Sequence, residues 1–173
     1  MPRTPLVVDT DLVIKEAKTI SRDIRGTLRP IIIGPGSPEH VGKVSDALFL
    51  EVTSPLAAAV TMARANSNDQ PVSYTGVDDP TNIDSWRLTT RFLWKRGEFY
   101  NIVPLTSDPK IQQVFVDHIK DTRFSDAGVR QSLLLTMDEE DPSKVIARAR
   151  ALKHKRIKLI WPANHLVAAE IAA

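Results

Sequence analysis

A chain of 173 residues, 42% apolar and 25% charged, is long enough for one compact domain with a sizeable core, and its composition excludes global disorder and fibrous repeats. It holds no cysteine, which rules out disulfides, thiol nucleophiles and thiolate metal sites, and a formal net charge of +2 does not by itself imply a nucleic-acid partner. No run approaches the roughly eighteen apolar residues of a membrane span, and no apolar stretch of signal-peptide type opens the chain, so the expectation is a soluble, intracellular protein.

The first 45 residues are the least regular. Leu6 to Val8 suits a short strand, and Asp9 or Thr10 then caps a helix carrying Leu12, Val13, Ala17, Ile20 and Ile24, although the alternation Val13, Lys15, Ala17 also tolerates a strand. Gly26 ends either element. Pro30 to Ile33 is a β-branched run stopped by Gly34-Pro35-Gly36, and Ser37-Pro38 opens a polar stretch. Residues 1–45 are therefore read as an N-terminal arm or subdomain, with 46–173 as the α/β core.

From residue 46 the pattern alternates. The strands expected are Ala47 to Val52, Val72 to Tyr74, Phe99 to Val103, Ser132 to Met137 and Ile157 to Trp161. Three helix starts carry the same mark: Ser54-Pro55, Asp108-Pro109 and Asp141-Pro142 pair a capping side chain with a proline at the first helical position. The helices they open bear Leu56, Ala59, Val60 and Ala63, then Ile111, Val114, Phe115, His118 and Ile119, then Val145, Ile146, Ala149 and Leu152. A further helix runs from about Asn82 to Lys95 and ends at Gly97, and an alanine-rich one spans Leu166 to Ala172. Strand and helix in turn predict an α/β fold: a mostly parallel, covered sheet of about five strands alternating with helices, behind a less regular N-terminal arm.

Chemistry is sparse. Gly34-Pro35-Gly36 follows a strand, but Glu39 stands where a dinucleotide fingerprint needs its third glycine, no Gly-Lys-Ser/Thr follows, and Pro35 removes a donor, so a tight turn is preferred to a phosphate loop. Asp138-Glu139-Glu140-Asp141 sits at a strand end, and its negative charge is better explained by the helix start behind it than by a metal ion. The four histidines, His40, His118, His154 and His165, lack metal-ligand spacing, and His118 lies on an apolar stripe, as a satisfied, half-buried histidine does. No Gly-x-Ser-x-Gly elbow is present. Trp86, Phe92, Trp94, Phe99 and Tyr100 crowd into one segment and are read as core. Catalytic, cofactor-binding and metal residues are accordingly assigned to none. The candidate interaction residues are Lys144, Arg148, Arg150, Lys153, Lys155, Arg156 and Lys158, a block with no intervening acid whose usual explanation is a solvated helix face complementing the helix C-terminus; as a contact, an acidic protein surface is preferred to nucleic acid.

Two segments carry a family likeness. Glu98-Phe99-Tyr100-Asn101-Ile102-Val103-Pro104-Leu105-Thr106-Ser107-Asp108-Pro109, with the helix through His118, resembles the strand–Pro-Leu-Thr-x-Asp-Pro–helix segment of bacteriophage contractile tail sheath proteins. Arg156-Ile157-Lys158-Leu159-Ile160-Trp161-Pro162 and the alanine-rich helix to Ala173 are similar to the family's strand ending in Trp-Pro and its later helix, and Val52 to Ala65 looks like an earlier sheath helix. The resemblance covers about 46–173. It implies a structural subunit or domain with no active site, stacking as a homo-oligomer in helical rings around a tail tube protein, located in the virion tail and made soluble in the host cytoplasm. It also implies terminal arms that add strands to neighbours, although family members are usually longer. The competing reading is a small intracellular α/β enzyme or nucleotide-binding domain using the strand ends at Thr53, Thr106 and Asp138.

Overall fold

The three proline-marked starts are helix starts. In the computed structural model, which describes residues 29–36, 42–43, 54–67, 72–94, 96, 98–121, 130–136, 141–161, 168–169 and 172, the Ser54 hydroxyl accepts the Ala57 N–H at 3.0 Å. The Asp108 and Asp141 carboxylates likewise accept the N–H groups of Lys110 at 2.8 Å and Ser143 at 2.7 Å. They open α1 (Pro55–Asn66), α3 (Pro109–Lys120) and α4 (Pro142–Leu152). Between them α2 (Ile83–Trp94) starts behind Asn82, whose side chain accepts the Asp84 N–H at 2.9 Å. Each cap satisfies a backbone donor that has no partner inside its helix.

The strands are β1 (Arg29–Pro35), β2 (Gly42–Lys43), β3 (Ser73–Val77), β4 (Phe99–Pro104), β5 (Gln131–Leu135) and β6 (Ile157–Ile160). They form one sheet in the order β2-β3-β1-β4-β5-β6, parallel throughout except for β2, which runs antiparallel to β3 along one edge. The fold is α/β with a covered, largely parallel sheet, and strands β3 to β6 coincide with four of the five strands expected after residue 46. The fifth, Ala47 to Val52, lies outside the described residues, as do the helix and strand expected before Gly26.

One strand stands elsewhere than the sequence suggests. Pro30 to Ile33, read from sequence as part of the 1–45 arm, belongs to β1 in the middle of the sheet, where Ile31, Ile32 and Ile33 are wholly buried. A strand covered on both faces shows no polar alternation, so the short apolar run carries no periodicity to mark its place.

The direction of the chain dictates the layers. It passes from β1 outward to β3, then crosses back over β1 to β4 and onward to β5 and β6. Right-handed crossovers send the first connection to one face and the later ones to the other. On the first face Ile32, Tyr74, Val103 and Leu133 pack with Leu56, Ala59, Val60 and Ala63 of α1 and with Ala168, Ala169 and Ala172 of the alanine-rich C-terminal segment. Those three alanines are helical, and Asn101 of β4 donates to the Ala172 carbonyl at 2.6 Å. On the second face Ile31, Ile33, Phe99, Ile102 and Leu134 pack with Trp86 and Leu93 of α2 and with Ile111, Phe115 and Ile119 of α3.

Candidate assembly surface

Open α/β sheets bind ligands where the strand order reverses, outside the carboxyl ends of the two strands concerned. Here those strands are β1 and β4, and the place is filled from within. The Leu105 N–H donates to the Ile33 carbonyl at 2.7 Å, and its side chain lies across Gly34 so closely that a Cβ at residue 34 would sit 2.9 Å from Leu105 Cδ1. The Gly36 N–H, which a phosphate loop would offer to an anion, is spent on the Val77 carbonyl at 3.1 Å, and its φ of 154° explains the glycine. Gly34-Pro35-Gly36 is a packed strand end and turn.

The next position along, between the ends of β4 and β5, is closed by Gln112. This side chain, 1% exposed, donates to the carbonyls of Thr106 and Leu135 at 2.6 Å each, while its oxygen accepts from Arg148. Thr106 also takes the Asp108 N–H on its hydroxyl at 3.2 Å, so it serves the start of α3. Thr53 and Asp138, the other strand-end candidates, lie outside the described residues, as do Glu139 and Glu140; Asp141 is the α4 cap, its carboxyl held below the usual range first by the Ser143 hydroxyl and then by backbone N–H groups.

The aromatic residues are mostly core. Trp86 meets Phe115 edge-on at 5.9 Å between ring centroids and donates its indole N–H to the Pro80 carbonyl at 3.0 Å. Phe92 and Phe99 face each other beneath the Arg96 guanidinium, whose carbon lies 5.2 and 5.6 Å from the two ring centres. His118, on the α3 stripe, is 8% exposed and stacks on Trp94. Its Nε2 lies 3.0 Å from Arg130 Nη1. Arginine can only donate, so Nε2 is the acceptor and the proton of the neutral ring resides on Nδ1. Burial, and then the charge of Arg130, push the His118 pKa down to about 4. His40 and His165 lie outside the described residues.

The basic block divides. Arg148 turns inward onto Gln112, and Arg156 donates to the Ile119 carbonyl at 3.0 Å, where it meets the negative end of the α3 dipole. Lys144, Arg150, Lys153, Lys155 and Lys158 are exposed. Lys153 ends α4 in the left-handed conformation, φ 43°, and the turn it starts carries His154 into the field of three cations. Partial burial first, then Arg156, Lys120 and Lys155, hold the His154 pKa below the ordinary imidazole range.

What surrounds this block was not legible in the sequence. Helix α4 buries none of its residues, and it leaves Ile146 51% exposed. Strand β6 pairs with β5 and is the sheet edge among the described residues, and Trp161 directly after it is 48% exposed. A basic helix with an open apolar residue therefore lies beside a sheet edge, an arrangement suited to contact with another chain. The pattern of α4 forecast an inward apolar stripe; Val145 and Leu152 are half-buried, while Ile146 and Ala149 face outward.

No protein-family model and no curated protein matches this chain. Among solved structures it is similar to the helical sheath of the anti-feeding prophage in its contracted state, determined by cryo-EM, with a TM-score of 0.53 and 12% identity. The match covers 83% of this chain and 45% of the sheath chain, so this chain spans less than half the length of that protein. At such identity the likeness is one of fold.

Proposed function

We propose that this chain is a structural subunit, or a domain of one, of a contractile tail sheath, assembling with copies of itself in helical rings around a tail tube protein in the virion tail. The observation that carries this reading is the fold likeness to a sheath over 83% of the chain, and the sequence resemblance of two segments to sheath proteins agrees with it. Two features support it. The place where this strand order would receive a ligand is filled by Leu105, which disfavours the reading as an enzyme or nucleotide-binding domain. The α4–β6 side offers an unburied helix and a strand edge to a neighbour. In this reading the residues ahead of β1 supply an arm, and no catalytic role is assigned.

Negative-stain microscopy of the purified full chain tests the proposal. Regular rings or tubes are the expected result. A chain that stays monomeric at every concentration and turns over a metabolite overturns it.

A further inference from the structure

Parallel strands all point one way, and the helices that connect them point back, so the starts of α1 to α4 lie at one end of the described structure and their ends at the other. The two ends are about 18 Å apart, the length of a 12-residue helix. They carry opposite charge. At the carboxyl end of the strands lie Asp78, Asp79, Asp84, Asp108 and Asp141, opposed by Lys110 and Lys144 in the first turns of α3 and α4 and by Arg87, which pairs with Asp84 at 2.8 Å. At the amino end lie Arg29, Lys120, Lys153, Lys155 and Arg156, opposed by Glu98, Asp117 and Asp121, while Arg130 is buried behind them. At this second end Arg156 reaches the Ile119 carbonyl in the last turn of α3 at 3.0 Å, which brings the exposed Lys155 near the exposed Lys120, while Asp78 and Asp79 at the first end are exposed.

We infer that copies of this chain contact one another head to tail, the acidic carboxyl end of one against the basic amino end of the next. The partner is a second copy because the two poles of one molecule complement each other and lie on opposite sides, so they cannot meet within one chain. Such a contact joins different surfaces of the two subunits, and repetition of it yields rings or an open helix rather than a closed dimer. The inference rests on the sheath reading and deepens it by naming the surfaces that meet.

Charge reversal provides the test. One variant carries Asp78→Lys with Asp84→Lys, and a second carries Lys120→Glu with Lys155→Glu; all four side chains are exposed, Asp84→Lys gives up the pair with Arg87, and a cooperative melting transition for each establishes that both variants fold. Each variant alone has two ends of like sign and is expected to lose assembly at least tenfold. An equimolar mixture presents opposite signs at every junction and is expected to assemble at the wild-type concentration in alternating order. Wild-type assembly is also expected to weaken as salt rises from about 0.05 to 0.5 M, since screening shortens the reach of exposed charges. Rings from either variant alone, or no recovery on mixing, overturn the head-to-tail contact and leave the sheath reading standing. A wild-type chain that never assembles overturns both.

Discussion

Acidification should weaken this protein through one imidazole. His118 is nearly solvent-free, it takes a hydrogen bond from Arg130, and its pKa falls from 6.5 to about 4 because burial, and then the Arg130 charge, disfavour the imidazolium. Between those two values the unfolded chain binds a proton that the folded one refuses, so stability increases with pH across this window. The contribution is present in full above about pH 6.5 and is lost as pH falls toward 4. Each tenfold difference in proton affinity is worth about 1.4 kcal/mol, so the loss amounts to about 3 kcal/mol. That is a large part of the roughly 5–15 kcal/mol that holds an ordinary domain together. Urea denaturation followed by tryptophan fluorescence at pH 7.5, 6.5, 5.5 and 4.5 measures it, with His118→Gln as the control, because an amide oxygen can still accept from Arg130 but does not titrate. The wild type should lose most of the 3 kcal/mol over this series and the variant far less. Parallel pH profiles for the two proteins would refute the reasoning, since the loss would then belong to groups other than His118.

Three further outcomes follow from single contacts. Lys153 occupies a left-handed conformation with φ 43°, so Lys153→Gly should raise the denaturation midpoint by an amount corresponding to about 1 kcal/mol. Gly34→Ala places a methyl group 2.9 Å from Leu105 Cδ1 and should cost about 1–3 kcal/mol; in a Leu105→Ala background the same change should cost much less, a coupling that a double-mutant cycle measures. Gln112→Leu strips partners from the Thr106 and Leu135 carbonyls and from Arg148, and should cost at least about 2 kcal/mol in chemical denaturation while the far-ultraviolet dichroism of the folded protein stays unchanged.

The parts of the fold legible in sequence are those whose causes are local. A serine or aspartate before a proline favours a helix start through local contacts alone, and Ser54-Pro55, Asp108-Pro109 and Asp141-Pro142 are used that way, whereas Asp79-Pro80 forms a turn ahead of α2. The apolar stripe of α3 is likewise a local pattern, and it placed His118 correctly against the core. What eluded sequence reading depends on neighbours distant in the chain. The central position of β1 follows from the order in which strands pair, which three consecutive isoleucines do not encode. Gln112 looks like an ordinary helix glutamine, yet it stands one turn before Val116 on the buried side of α3, and its burial becomes intelligible only when the ends of β4 and β5 meet around it. The basic block was visible as a run of like charges, but its division into two inward arginines and five outward groups is set by where the C-terminal ends of α3 and α4 come to rest.

Helix α4 has a consequence for how this chain tolerates mutation. None of its residues is fully buried, and Val145, Arg148 and Leu152 are the half-buried ones that lean against the rest of the molecule. Folding thus exerts little selection on the identity of Ile146, Ala147, Ala149, Arg150 and Ala151 beyond a preference for helix formers. Any of these positions that proves intolerant of change in the working assembly, while the isolated chain melts as before, must be answering to a surface outside its own subunit. Ile146 is the place to look first, because its own fold leaves this large aliphatic group half in water.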